Sequence, residues 1–351
     1  MSDFSQIDKN FLIKTKIEKE DVCFHNASVF PFEVFGLIRE NGRFCRMLET
    51  VSASVSDGVH RLHGNTAGGR VRFATDSSYV AIQAEMDGIT KTSTFTFAGS
   101  SGFDLYADNI YAGTFAPPLN MESDYESVVE LGEGGLREIT INFPLYSNVR
   151  ELYIGLQKDC VVNQAKPYVN DKPVVFYGSS ITQGGCASRP GMCYQAMVSR
   201  RLNLDYVNLG FAGNAKAEDE MAHYISDLDM SAFVFDYDHN STSAEYLWET
   251  HEKFFRTVRK SHPDIPILIM TAPVYKANSD WLKRWEALEA TYKNAVSEGD
   301  KNVCFLSGDE LFAMCGYDGT VDGCHPNDFG FASMAKAVGD VLEKVLKQMN
   351  E

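Results

Sequence analysis

The chain is short of positive charge. Its 32 lysines and arginines face 48 aspartates and glutamates, for a formal net charge of −16. Proteins that hold a phosphate backbone do so by releasing its counterions with basic side chains, so this balance excludes nucleic acid as the expected partner. The same field disfavours strongly anionic substrates. Long apolar runs are missing as well, and none approaches the roughly 18–20 residues that span a bilayer, so no membrane partner is expected. The first residues, Met1-Ser2-Asp3-Phe4-Ser5-Gln6, lack the basic and apolar regions of a signal peptide, and a cytoplasmic location is the expectation. Paired cysteines are absent: the eight at 23, 45, 160, 186, 193, 304, 315 and 324 include no CxxC with finger spacing. Free thiols are therefore expected, and no structural zinc. Internal repeats and low-complexity tracts are lacking too.

What is present is an ordinary globular composition, 44% hydrophobic and 23% charged over 351 residues, long enough for a sizeable core and for two or three domains. The pattern changes near residue 160. Before it, short alternating segments at 70–73, 79–83, 94–97, 108–111, 137–143 and 151–154 repeat with a period of about two, the mark of half-buried strands. Glycine-rich turns punctuate them, with no helical pattern between. This predicts an all-β sandwich, jelly-roll-like, over residues 1–165, with 161–172 as connector.

After residue 173 the rhythm becomes strand then helix. Segments 174–178, 206–210, 232–237, 267–272 and 303–306 are apolar throughout, as strands covered on both faces should be. Between them lie helical faces: Tyr246, Leu247, His251, Phe254, Phe255 and Val258; then Trp281, Trp285, Leu288, Tyr292 and Ala295; then Phe331, Ala335, Val338, Leu342, Val345 and Leu346. Residues 166–351 are thus expected to form a parallel, doubly wound α/β domain.

Open parallel sheets bind ligands beyond the carboxyl ends of their strands. Ser180 follows the first such strand, Gly213 the second and Asn240 the third. A serine hydroxyl needs a base, and His325 in Asp322-Gly323-Cys324-His325-Pro326 is the best candidate. Asp322, three residues earlier, can reach the ring across a tight turn and fix its tautomer. Backbone N–H groups at Ser180 and Gly213 and the amide of Asn240 would supply an oxyanion hole. Each residue also has a bland reading. Ser180 could cap the next helix, Asn240 could serve a turn, Gly210 could replace Gly213 as donor, and His325 could be a surface histidine. Asp236, Asp238 and His239 cluster, but no second ligand group accompanies them, so a pocket rim or backbone bonds are expected there rather than a metal. His60 and His63 are expected in a surface turn. Trp281 fits core packing, with Asn278 and Trp281 as a possible wall of the substrate pocket.

Gly178-x-Ser180-Ile181-Thr182, Gly213, Asn240 and Asp322-x-x-His325-Pro326 together resemble blocks of the SGNH (GDSL) hydrolases, over residues 173–350. Gly102-Phe103-Asp104-Leu105-Tyr106 resembles the GxDLY motif that precedes such a domain in one bacterial subfamily. The resemblance implies a flavodoxin-like α/β/α catalytic domain behind a β-sandwich and a serine esterase without cofactor. It implies Ser180, Asp322 and His325 as catalytic residues, with Ser180, Gly213 and Asn240 as oxyanion donors. The expected substrate is a small-molecule or oligosaccharide ester, with O-acetyl groups on carbohydrate favoured. A lipid or platelet-activating-factor-type acetylhydrolase and a non-catalytic carbohydrate-binding protein are the alternatives. One position departs from the pattern: Ser179 stands where Gly-Asp-Ser has its aspartate, which leaves open which serine reacts.

Overall fold

A computed structural model describes residues 17–349. The N-terminal part is built around two large antiparallel sheets, with a small hairpin of Ile38–Glu40 and Arg43–Cys45 beside them. One runs in the order Val22–Asn26, Asn148–Gln157, Tyr79–Asp87, Tyr125–Glu130. The other runs Val162–Asn163, Arg70–Thr75, Arg137–Asn142, Phe103–Ala107, Ile110–Phe115, with Glu33–Phe35 also paired to Arg70–Thr75. Inward residues of the two sheets, among them Val71, Phe73, Ile82, Leu105, Ile141 and Ile154, share one buried cluster. Burying each such side chain is worth about 1.5–3 kcal/mol, which makes this face the reason the sheets pack.

Four expectations fail here, each for a local reason. Asp108 and Asn109 do not extend a strand; both take positive φ (50° and 65°) and form the hairpin turn before Ile110–Phe115. Short polar residues tolerate that conformation and its twist suits a two-residue hairpin. The 94–97 segment is not a strand, because the Thr96 hydroxyl accepts from Gly99 N–H and starts the helix Phe97–Ser101. This part is also not free of helix: Glu49–Val55 and Asp57–Leu62 fold back to back, the second capped by Ser56. His60 and His63 therefore lie at a helix end, stacked 5.2 Å apart with His63 buried, rather than in a surface turn.

The C-terminal part is a five-stranded parallel sheet in the order Tyr206–Gly210, Val174–Gly178, Ala232–Asp236, Ile267–Met270, Val303–Leu306. Alternate residues of each strand serve opposite faces. Val175, Tyr177, Phe233, Phe235, Ile267 and Ile269 pack under helices Asp219–Ser226, Ala244–Ser261 and Ser279–Ser297. Val174, Phe176, Val234, Leu268 and Met270 pack under Tyr194–Leu202 and Asp328–Met349. The result is a three-layer α/β/α domain. Its strand order reverses direction beside Val174–Gly178, so the end of that strand is the topological switch point. All eight cysteines are free. No described helix is long and apolar enough to cross a membrane.

His251 sits inside the first of those helical layers. Its ring stacks on Phe235 at 4.5 Å, its Nδ1 meets Thr291 Oγ1 at 2.8 Å, and burial pushes its pKa down to about 3. The folded protein thus holds this imidazole neutral, while the unfolded chain takes up a proton below its ordinary pKa of about 6.5. Stability is fully present above that value and falls as pH drops toward the folded pKa, by about 2 kcal/mol at pH 5. Urea midpoints at pH 7.5 and pH 5 should show this fall, and His251→Gln should flatten the pH slope.

Candidate active site

At the switch point the chain has little room. Gly178 C=O accepts from Phe211 N–H (2.8 Å) and Ser179 N–H donates to Asp236 C=O (3.2 Å). A Cβ at residue 178 would lie 2.0 Å from that carbonyl oxygen, so only glycine lets the strand end turn here. Ser179 then caps the short helix Ser180–Gln183: it is buried, and its hydroxyl accepts from Ile181 N–H at 3.1 Å. Ser180, half-buried at the first helical position, points the other way. Its Oγ lies 2.9 Å from His325 Nε2. The two adjacent hydroxyls therefore have separate tasks, and the capping one is Ser179.

His325 is held by the turn before it. Its Nδ1 lies 2.8 Å from Asp322 Oδ2, while Asp322 Oδ1 accepts from the backbone N–H groups of Cys324 (3.0 Å) and His325 (2.8 Å). Val321 N–H to His325 C=O (2.9 Å) closes the turn. Burial alone would raise the Asp322 carboxyl; the donors from His325 and Cys324 outweigh it and hold the pKa below the ordinary carboxylate value. An ionised Asp322 on Nδ1 leaves Nε2 facing Ser180 as the acceptor.

The segment after the second strand is tied from three sides. Asn240 Nδ2 donates to Phe211 C=O at 2.9 Å, Ala212 N–H donates to Gln183 Oε1 at 3.1 Å, and the Arg46 guanidinium covers the Phe211 ring at 4.6 Å. Gly210 N–H is already bonded to Asn208 Oδ1 (2.9 Å), which removes it as the donor. Gly213 is exposed, with φ of +71°, and neither its N–H nor that of Ser180 has a partner among the described residues.

The other residues singled out in the sequence sit further out. Asn278 is exposed and caps helix Ser279–Ser297 through Asp280 and Trp281 N–H. Trp281 stands edge-on to His239 at 5.0 Å, and His239 Nδ1 faces Cys324 Sγ at 3.8 Å, so the tryptophan touches the site through a histidine. Burial, then Arg284 and His325, push His239 down to about 3, so it is neutral near pH 7. Asp238 accepts from Ala272 N–H (2.9 Å) and from Arg284 (2.8 Å), and Asp236 from Thr182 Oγ1 (2.9 Å). These carboxylates serve the fold and leave no ligand set for a metal.

Cys186, Asp322 and His325 are the one group of three metal-type ligands among the described residues, with ligand atoms within 4.8 Å of one another. Both the aspartate and the histidine are already bonded to each other, and burial pushes the Cys186 thiol up to about 11. A cation there would have to break the Asp322–His325 bond. A cleft of about 550 Å³ lined by Arg256, Arg259, Glu298 and Asp300 holds ion pairs and no serine, threonine or cysteine. It includes Asp264 and Asn302, at the amino ends of two strands and away from Ser180.

Sequence reasoning missed the contribution of the N-terminal part. Tyr146 Oη donates to Ser180 C=O at 3.0 Å, Phe95 stands edge-on to the His325 ring at 6.4 Å, and Asn65 Oδ1 accepts from Gln183 at 3.0 Å. No local periodicity marks these residues. The nearest signal was the charge of Asp104, set between apolar Phe103 and Leu105 in the GxDLY run.

A hydroxyl, an imidazole and a carboxylate bonded in series at the switch point of a doubly wound sheet are the working parts of a serine hydrolase. Residues 171–345 match the GDSL-like lipase/acylhydrolase family, and residues 22–162 match the N-terminal region of SGNH hydrolase-type esterases that carries the GxDLY motif. The chain belongs to this family of carboxylic ester hydrolases. It is similar to the crystal structure of a protein assigned as a GDSL-like lipase from Bacteroides ovatus, with 29% identity, a TM-score of 0.82, and coverage of 93% of this chain and 98% of that one. A salicylyl-acyltransferase from a tetracycline biosynthetic pathway shares the fold at 19% identity, TM-score 0.75, covering 95% and 99%. So does an acetyl xylan esterase from the rumen bacterium Butyrivibrio proteoclasticus at 13% identity, TM-score 0.62, covering 93% and 99%. No curated protein matches the chain.

The division between the two serines is testable. Ser180→Ala should abolish labelling by a fluorophosphonate. Ser179→Ala should keep the label on Ser180 while losing about 1 kcal/mol of stability with the helix cap. Peptide mapping of the labelled protein and thermal melts read the two effects separately.

Proposed function

We propose that this esterase removes small acyl groups, O-acetyl on a carbohydrate first among them, with Ser180 as nucleophile. The observation that carries the reading is the unbroken chain from Ser180 Oγ through His325 to Asp322, at 2.9 and 2.8 Å. Ser180 Oγ attacks the ester carbonyl as its proton passes to His325 Nε2. The oxyanion is met by the free N–H groups of Ser180 and Gly213 and by the second amide hydrogen of Asn240, whose first is bonded to Phe211. Such donors act best when fixed beforehand, and each is worth on the order of 3–4 kcal/mol of barrier. Collapse expels the alkoxide, which takes the proton from His325 and leaves an acyl-enzyme. Water, deprotonated by the same histidine, releases the acid.

The carbohydrate half of the reading is supported at the level of fold. The acetyl xylan esterase is one neighbour; a family two carbohydrate esterase from Clostridium thermocellum, in complex with cellohexaose, is another at 16% identity and TM-score 0.57. One fold hosts many substrates, so substrate preference and serine chemistry are read by separate assays.

Asp322→Asn should lower kcat for p-nitrophenyl acetate by about 10³–10⁴-fold, because the ring then loses its fixed tautomer. A larger loss is expected for His325→Ala, which removes the base itself. Acetylated xylo- and manno-oligosaccharides should be turned over faster than long-chain acyl esters and acetylated phospholipids. Preference for the lipid esters would replace the sugar reading and leave the serine chemistry standing; release of no acid from any ester would sink both.

A further inference from the structure

The GxDLY motif has no role in the chemistry just described, yet its side chains end beside it. Asp104 is fully buried. Its Oδ1 accepts from Asn142 (2.8 Å), and its Oδ2 accepts from both the Arg189 guanidinium (2.8 Å) and Gly191 N–H (2.8 Å). The Tyr106 hydroxyl accepts from the same guanidinium, and Arg189 also lies over the Tyr111 ring at 3.9 Å. Two polar residues of one β-strand thus grip a turn of the catalytic domain.

That turn is the second half of the loop that leaves the Ser180 helix. Its first half touches the reacting groups. Gly185 N–H donates to Ser180 C=O at 2.8 Å, and a Cβ at residue 185 would meet Tyr146 Oη at 3.0 Å and His325 Cδ2 at 3.3 Å. In its middle, Ser188 bonds the Asp328 carboxylate through its N–H (2.9 Å) and hydroxyl, three residues after His325. Thr96 of the β-rich part donates to Ser188 C=O at 2.6 Å. Residues 184–191 are therefore held by the N-terminal part on one side and carry the His325 segment on the other.

We infer that Asp104 and Arg189 are positioning residues for catalysis: the GxDLY strand fixes the 184–191 loop, and through Gly185 and Ser188 that loop sets His325 against Ser180. The inference rests on the serine-hydrolase reading above. The buried carboxylate makes the grip selective, because removing one partner leaves an uncompensated charge, whereas a neutral hydrogen bond would yield more easily. A shift on the order of 1 Å between nucleophile and base is enough to cost about 10²-fold in rate without altering what the substrate touches.

The test uses the full-length chain and p-nitrophenyl acetate, with Asp104→Asn and Arg189→Lys. Asn keeps the volume of Asp104; Lys keeps the charge but lacks the planar guanidinium that lies over the Tyr111 ring while its Nη1 donates to both Asp104 and Tyr106. The expected result is a drop in kcat of about 10–100-fold with KM little changed, and a matching drop in the rate of fluorophosphonate labelling at Ser180. Arg189→Lys, on a partly exposed side chain, guards against Asp104→Asn failing to fold. Variants that melt earlier but keep wild-type kcat per folded molecule would overturn the inference, since that is what a purely structural contact does. Ser180→Ala separates the two ideas. If it retains full turnover, the serine reading falls and takes this one with it; if it is inactive while both motif variants keep full kcat, only this one falls.

Discussion

The site depends on how closely three strands approach at the end of Val174–Gly178. Gly178 and Ser179 exchange backbone hydrogen bonds with both neighbouring strand ends, through Phe211 N–H and Asp236 C=O. The 2.0 Å left for a Cβ at residue 178 shows that this contact tolerates no side chain. It puts the first turn of the next helix at the carboxyl end of the sheet, with Ser180 N–H lacking a partner among the described residues and its hydroxyl turned toward the last loop. The same contact brings Phe211 under Asn240, so the candidate oxyanion donors are placed by the bonds that end the strand. A substitution at Gly178 would move Ser180 and the candidate donors together.

The second half of the machinery arrives from two distant segments. The Asp322–His325 turn closes on itself through Asp322 Oδ1 and the Val321–His325 backbone bond, so His325 keeps its orientation locally. Its distance from Ser180 is another matter, because the turn's other contact at the carboxyl end of the sheet is a weak one, Cys324 Sγ against His239 Nδ1 at 3.8 Å. The 184–191 loop and the side chains of Tyr146 and Phe95 fill the gap. Arg46 and Arg70 add polar ties between the parts, the first on Gly210 C=O and the second on Asp205 and Tyr206 C=O. Arg46 is fully enclosed, and burial lowers its pKa to about 9. Burying a guanidinium without a carboxylate is expensive unless carbonyls accept from it, so this contact commits the two parts to one arrangement.

Much of this was legible in the chain. Apolar runs four to six residues long, followed by small polar residues, gave the parallel strands and the points where chemistry gathers. The spacing of Asp322 and His325 gave their mutual contact, because three residues suffice to close a turn. What could not be read were effects settled by a single hydroxyl or by distant packing. Thr94-Phe95-Thr96-Phe97 alternates like a strand, yet the Thr96 cap makes a helix and leaves Phe95 beside His325. Asn278 looked like a pocket wall because it follows a strand, but its side chain is spent on the helix it begins. Tyr146, Asn65 and Asp104 reach the site across more than thirty positions of chain, a distance over which hydrophobic period carries no information.

Ser179 shows how the chain departs from the Gly-Asp-Ser pattern at little cost. A carboxylate at a helix N-cap gains about 0.3–1 kcal/mol from the helix dipole over a neutral acceptor. Here it would stand next to the N–H of Ser180, in a buried position where a negative charge is poorly screened. An oxyanion forming at that N–H would be repelled by it, and the repulsion grows as water is excluded. The Ser179 hydroxyl accepts the same Ile181 N–H without bringing charge, so the cap is kept and the field at the oxyanion is set by donors alone. Burial raises the pKa of Asp236 well above the ordinary value, against the pull of the Thr182 hydroxyl that donates to it.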